Sequence, residues 1–123
     1  MNTALWIAQG LLAAAFLLAG VSKLAQEHSK LADQMGWPAD FSPGFVKTIG
    51  ALELLGAVGL ILPGLIDTAP ILTPVAAVGL AAIQTGAVVV HTRRKETQMI
   101  FINIVLIAIA AFIAWGRFGS YPL

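Results

Sequence analysis

Residues 45–63 read FVKTIGALELLGAVGLILP, an apolar run interrupted by Lys47 near its start and by Glu53 inside it. A membrane helix needs about 20 mainly apolar residues to cross the roughly 30 Å of hydrocarbon in a bilayer. The run has this length, and Pro43 precedes it while Pro63 and Gly64 close it. It therefore predicts a membrane-spanning helix that carries one carboxylate.

Three further runs of the same kind lie on either side of this one, at residues 4–24, 71–91 and 98–116. The connections at 64–70 and 92–97 are short, and short connections make consecutive helices antiparallel neighbours. The sequence therefore predicts an all-α fold, an integral membrane antiparallel four-helix bundle. Residues 1–123 form one domain in this interpretation.

The composition agrees with a membrane protein, because 59% of the residues are hydrophobic and only 11% are charged. Soluble domains carry about 25% charged residues. The net charge of +1 offers no basic surface for nucleic acid. The chain has no cysteine, which excludes disulfides, thiol redox chemistry and cysteine-bound metals. Met1-Asn2-Thr3 carries no basic residue, so the first run is predicted to be a retained span rather than a signal peptide.

The positive charges indicate how the bundle is oriented in the cell membrane. Only Arg117 falls at one end of the predicted bundle, and six basic residues fall at the other: Lys23, Lys30, Lys47, Arg93, Arg94 and Lys95. Cytoplasmic loops carry an excess of Lys and Arg. We therefore predict that loops 25–44 and 92–97 are cytoplasmic and that both termini are outside. Loop 25–44 contains Trp37 and is expected to lie on the membrane surface.

Polar residues in all four runs fall in the half of the membrane predicted to be cytoplasmic. At a rise of about 1.5 Å per residue, Glu53, Gln84 and Asn103 lie roughly 7–12 Å below that surface. Lys23 and His91 close the first and third runs on the same side. Each of the five shares a helix face with small residues, which permit close helix packing. We predict one internal polar cluster built from all four helices.

Glu53 is the strongest functional signal, because a carboxylate inside a membrane helix costs about 2.5–3.5 kcal/mol and usually marks function. It can be ionised and paired with Lys23, or it can be protonated and available as a general acid. A buried pair can also serve only to specify helix register. For Gln84 and Asn103 the alternative is plain interhelical hydrogen bonding, and for His91 a polar helix end.

Several chemistries find no support in the sequence. Two buried axial histidines for haem are not available, and no spacing of histidine or carboxylate residues suggests a metal site. Glycine-rich nucleotide loops are absent as well.

The order of short motifs along nearly the whole chain resembles the DoxX-like family of small four-helix membrane proteins. The best landmarks are Lys23 in the first helix and the Glu-x-x-Gly of the second. The motifs follow one another as Ala19-Gly20-Val21-Ser22-Lys23-Leu24, Gly36-Trp37-Pro38, Ile49-Gly50-Ala51-Leu52-Glu53-Leu54-Leu55-Gly56, Leu62-Pro63-Gly64 and His91.

The resemblance implies an association with membrane redox complexes, since the family is named after a subunit linked to a thiosulfate:quinone oxidoreductase. One hypothesis is a redox-associated subunit that holds a quinone or isoprenoid lipid in the bundle near Glu53. The other is a non-enzymatic assembly or scaffold factor for a membrane partner protein. A small transporter or proton path formed by a homo-oligomer is a third hypothesis. Besides membrane lipids, the expected partners are a redox or assembly protein and a second copy of the chain.

Overall fold

The structure, a computed structural model, describes residues 1–123. It contains five α-helices, one short 3-10 helix at Trp37–Asp40 and no strand. The helices are α1 (Asn2–Ala25), α2 (His28–Met35), α3 (Pro43–Leu65), α4 (Leu72–Arg93) and α5 (Thr97–Phe118).

Four of these helices are long and apolar enough to cross a membrane: α1, α3, α4 and α5. Their ends lie within two residues of the predicted spans. In the bundle α1 packs on α3, α3 on α4, α4 on α5, and α5 returns to α1. The predicted all-α fold is confirmed, and the chain is a multi-pass membrane protein of the helical-bundle type.

Large apolar side chains occupy both the inside and the outside of this bundle. Leu12, Phe16 and Leu60 are fully buried in its core. Leu18 and Phe101 are among many large apolar residues exposed on the outer faces of the helices. Water would disfavour such a surface, whereas lipid chains are as apolar as these side chains. The exposed outer surface therefore fits a hydrocarbon environment.

The end of α3 differs from the expectation that Pro63 closes the helix, because α3 continues through Pro63 to Leu65. A proline inside a helix has no N–H to donate to the carbonyl four residues earlier, which here is Gly59 O. The Thr73 hydroxyl donates a hydrogen bond to that carbonyl over 2.9 Å. A neighbouring helix thus replaces the missing donor, and the sequence pattern alone did not indicate this.

The connection predicted as loop 25–44 is partly helical, since it contains α2 and the 3-10 helix. Gly36 joins these two helices with a φ of 84°, a left-handed conformation that glycine adopts without strain. A Cβ atom at Gly36 would also lie 2.8 Å from Arg94 Nη2. Position 36 therefore needs glycine for its backbone conformation, whereas the end of the flexible Arg94 side chain could move aside.

Candidate binding site between the membrane helices

A close crossing of α1 and α3 brings the first two candidate residues together. A Cβ atom on Gly20 would lie 2.7 Å from Gly50 O, and one on Gly50 would lie 2.7 Å from Lys23 Cβ. Both distances are shorter than real Cβ contacts, so the helices could not approach this closely with larger residues. Lys23 and Glu53 each follow the crossing glycine of their helix by three residues, so they project from the same point of contact.

Lys23 and Glu53 form a buried ion pair at this crossing. Lys23 Nζ lies 2.7 Å from Glu53 Oε1, and the side chains are only 8% and 3% exposed. Of the two arrangements that the sequence left open for Glu53, this geometry matches the paired one.

All five candidate residues line one cavity of about 690 Å³ between the four membrane helices. Apolar side chains make up most of its wall, and the polar groups converge from different helices. The five are Lys23 from α1, Glu53 from α3, Gln84 and His91 from α4, and Asn103 from α5. The structure thus brings together every side chain that the depth argument placed in one cluster.

Gln84 and Asn103 line the cavity, and each carries one buried polar atom that has no partner in the protein. Their side chains belong to residues that are 6% and 4% exposed, respectively. Gln84 Oε1 and Asn103 Nδ2 are buried and make no hydrogen bond. The alternative interpretation is that these amides form hydrogen bonds between helices. The structure contains no such bond at Gln84 Oε1 or Asn103 Nδ2.

Charged side chains connect the edge of the cavity to the 3-10 helix at Trp37–Asp40, which lies over it. His91 Nδ1 donates to Glu96 Oε1 over 2.9 Å, and Arg94 Nε lies 3.3 Å from the same oxygen. Arg94 Nη1 donates to Asp40 Oδ2 over 2.7 Å. The hydrogen bond to Asp40 raises the pKa of Arg94 above its ordinary value, so the guanidinium stays charged. This series of ion pairs and hydrogen bonds connects the segment between α4 and α5 to the 3-10 helix.

Aromatic rings cover the cavity at the same end. Trp37 meets Phe41 edge to face at 5.9 Å between ring centroids, and Phe41 stacks on Phe45 at 4.9 Å. All three rings line the cavity, and Lys23 Nζ lies 5.9 Å from the Trp37 centroid. The segment that the sequence placed on the membrane surface therefore forms one wall of the candidate site.

A second polar cluster lies at the opposite end of the bundle and was missed by the sequence reasoning. Arg117 Nε donates to Gln9 Oε1 over 2.7 Å, and its Nη1 donates to Asn2 Oδ1 over 2.7 Å. Gln9 Nε2 in turn donates to Leu60 O. Residues 9 and 117 fall near the same predicted membrane face, and this shared depth was the available signal. The cluster connects α1, α3 and α5 by hydrogen bonds.

Comparison with known proteins supports the resemblance seen in the motifs. The model of the DoxX-like family matches residues 7–113, which include all of α3 and α4 and most of α1 and α5. This chain belongs to the DoxX-like family. No curated protein and no solved structure matches it. Membership shows a membrane protein of the DoxX type, and the candidate site has to be interpreted from its own geometry.

Proposed function

We propose that this DoxX-like protein is a redox-associated membrane subunit that binds a quinone or a related isoprenoid lipid in the cavity between its four helices. One observation carries the proposal. An apolar cavity of about 690 Å³ holds convergent polar groups from all four helices. Small-molecule sites typically measure about 300–1,000 Å³ and combine apolar walls with a few placed polar groups.

The residues of the cavity fit such a ligand on two counts. Phe16, Ile83 and Leu106 supply apolar walls for a ring and the start of an isoprenoid tail. Gln84 Oε1 and Asn103 Nδ2 are buried atoms without partners, and a polar headgroup would satisfy them. The exposed flanks of the helices lie in hydrocarbon, where such a ligand is dissolved.

A bound quinone would supply electron transfer that is coupled to proton uptake and release. The chain's own residues would hold and orient the headgroup and manage the protons near it. Lys23 and Glu53 form a charged pair at the cavity wall, and His91 with Glu96 connects that wall to the α4–α5 connection. These groups are the ones able to exchange a proton beside the headgroup.

The proposal includes an orientation. The excess of basic residues in and near 25–44 and 92–97 favours a cytoplasmic position for α2 and for the α4–α5 connection. Both termini would then be outside, and the polar cavity would lie toward the cytoplasm.

The test is mass spectrometry of small molecules extracted from protein purified in mild detergent. Wild type is compared with Glu53→Gln and with Thr85→Val, a control whose exposed hydroxyl donates only to Ala81 O of its own helix. We expect a quinone or isoprenoid in wild type and in the control, and its loss from Glu53→Gln when circular dichroism shows that all three are folded. Retention in folded Glu53→Gln would contradict the role given to the carboxylate.

The alternative function is assembly of a membrane partner, without a bound small molecule. A groove between α3 and α4 favours it, because Gly56, Gly59, Ala76 and Gly79 line it with small residues that allow close helix approach. This alternative predicts a protein that co-purifies with wild type and with Glu53→Gln alike. Absence of any specific small molecule from both would favour it over the quinone proposal.

A further inference from the structure

Two residues that line the cavity carry buried atoms that are complementary in hydrogen bonding. Gln84 Oε1 is an acceptor on α4, and Asn103 Nδ2 is a donor on α5. Neither has a partner in the protein, and both residues are more than nine-tenths buried. A buried polar atom without a partner carries a full desolvation cost, which a ligand that pairs with it removes.

Lys23 and Glu53 are also polar groups of this cavity, but they are paired with each other, since Lys23 Nζ lies 2.7 Å from Glu53 Oε1. Apart from this pair, the wall presents the acceptor of Gln84 and the donor of Asn103. A headgroup made of carbonyls alone could accept from Asn103 but could donate nothing to Gln84.

We propose that the cavity selects a headgroup bearing a hydroxyl, which donates to Gln84 and accepts from Asn103, over a headgroup that can only accept. Phenols, hydroquinones and isoprenoid alcohols have such a group, whereas their ethers and the fully oxidised dicarbonyl quinones do not. Within the redox function proposed above, on which this inference rests, the site holds the reduced form of its ligand more tightly.

Gln84 is thus a specificity-determining residue that acts through its acceptor. A site built to pair with a hydroxyl rejects an analogue that lacks it, because the site's own polar atom is then left unpaired. Asn103 contributes differently, since its donor pairs equally well with a hydroxyl oxygen and with an ether oxygen. The two residues can therefore be separated by experiment.

The experiment uses a matched pair of probes that have no redox chemistry. 4-Octylphenol donates and accepts, and its methyl ether, 4-octylanisole, only accepts. Isothermal titration calorimetry measures the affinity of each for the full-length protein in lipid nanodiscs, against empty nanodiscs. We expect the phenol to bind at least about tenfold more tightly than the ether, which is a difference that one unpaired buried group can produce.

Variants then assign the preference to its atoms. Gln84→Leu should reduce the preference for the phenol to within about twofold, and Gln84→Met does the same with a side chain of closer length. Asn103→Leu should weaken both probes by a similar factor and leave their ratio unchanged. Thr85→Val, one position along α4 with an exposed hydroxyl, should leave both affinities as in wild type.

The outcomes distinguish failure of the hydroxyl selection from failure of the proposed binding function. Equal affinities for phenol and ether in wild type would overturn the hydroxyl selection while leaving a binding cavity. A preference that survives in folded Gln84→Leu and Gln84→Met would overturn the role of Gln84. If neither probe gives heat beyond that of empty nanodiscs, both the selection and the proposed binding function fail.

Discussion

The buried pair of Lys23 and Glu53 yields the sharpest prediction about stability. Lys23→Met keeps a long, flexible side chain but removes the ammonium, which leaves the Glu53 carboxylate without its counter-charge. Because the two side chains are 8% and 3% exposed, the magnitude for a buried pair applies, about 3–5 kcal/mol for loss of one partner. A surface pair would contribute at most about 1 kcal/mol.

The prediction becomes specific when both charges are removed. Lys23→Met combined with Glu53→Gln takes the whole pair out of the bundle, so the stability should recover most of what the first change costs. The magnitude of the coupling free energy between the two positions should therefore be at least about 2 kcal/mol, in the upper part of the range for residues in contact. Asp40→Asn breaks an ion pair whose side chains are 32% and 52% exposed, and it should cost less than about 1 kcal/mol.

The assay is equilibrium unfolding of each variant in mixtures of a mild detergent and SDS, followed by the helical circular dichroism signal. The free energies of unfolding of wild type, both single variants and the double variant close a thermodynamic cycle. A coupling below about 0.5 kcal/mol would refute the argument, because the two charges would then act independently despite the 2.7 Å that separates their atoms. A cost for Asp40→Asn as large as that for Lys23→Met would refute the distinction based on burial.

Three further predictions use the same protein. Gly50→Ala should lower the free energy of unfolding by about 1–3 kcal/mol, because a methyl group does not fit the α1–α3 crossing. Gly79→Ala is the control and should not destabilise the protein, because no atom lies within 4 Å of the added Cβ. Gln9→Leu should cost about 1–3 kcal/mol in the same assay by leaving a buried guanidinium short of one partner, and a change below about 0.5 kcal/mol would contradict this. Since the chain has no cysteine, single cysteines at Ser29 and Thr68 can report orientation in intact cells; an impermeant maleimide should label position 68 and spare position 29, and the reverse result would invert the proposed topology.

Much of the fold and of the candidate site follows from local properties of the sequence. The length of each apolar run sets the helices, and the number of residues between Glu53 or Gln84 and the end of its run sets the depth of that side chain. Lys23, His91 and Asn103 were placed in the same half of the membrane by the same counting, and all five side chains line one cavity. Depth and face are one-dimensional quantities on a straight helix, so spacing is enough to predict them.

Other features required the tertiary arrangement, because they depend on which helices touch. The contact of Lys23 with Glu53 exists because α1 crosses α3 at paired glycines, and spacing within one helix cannot specify its neighbour. The continuation of α3 through Pro63 likewise depends on a hydroxyl donated by another helix.

Apolar length and the depth of each polar residue were therefore determined by the sequence itself, since hydrocarbon thickness and helical rise are the same for every chain. The tertiary structure alone decided that the 25–44 segment folds over the cavity and that Gln84 and Asn103 face it without partners. The physical reason is that a hydrogen bond or ion pair between distant residues needs the two helices to meet at one angle and register, and that is a property of the assembled bundle.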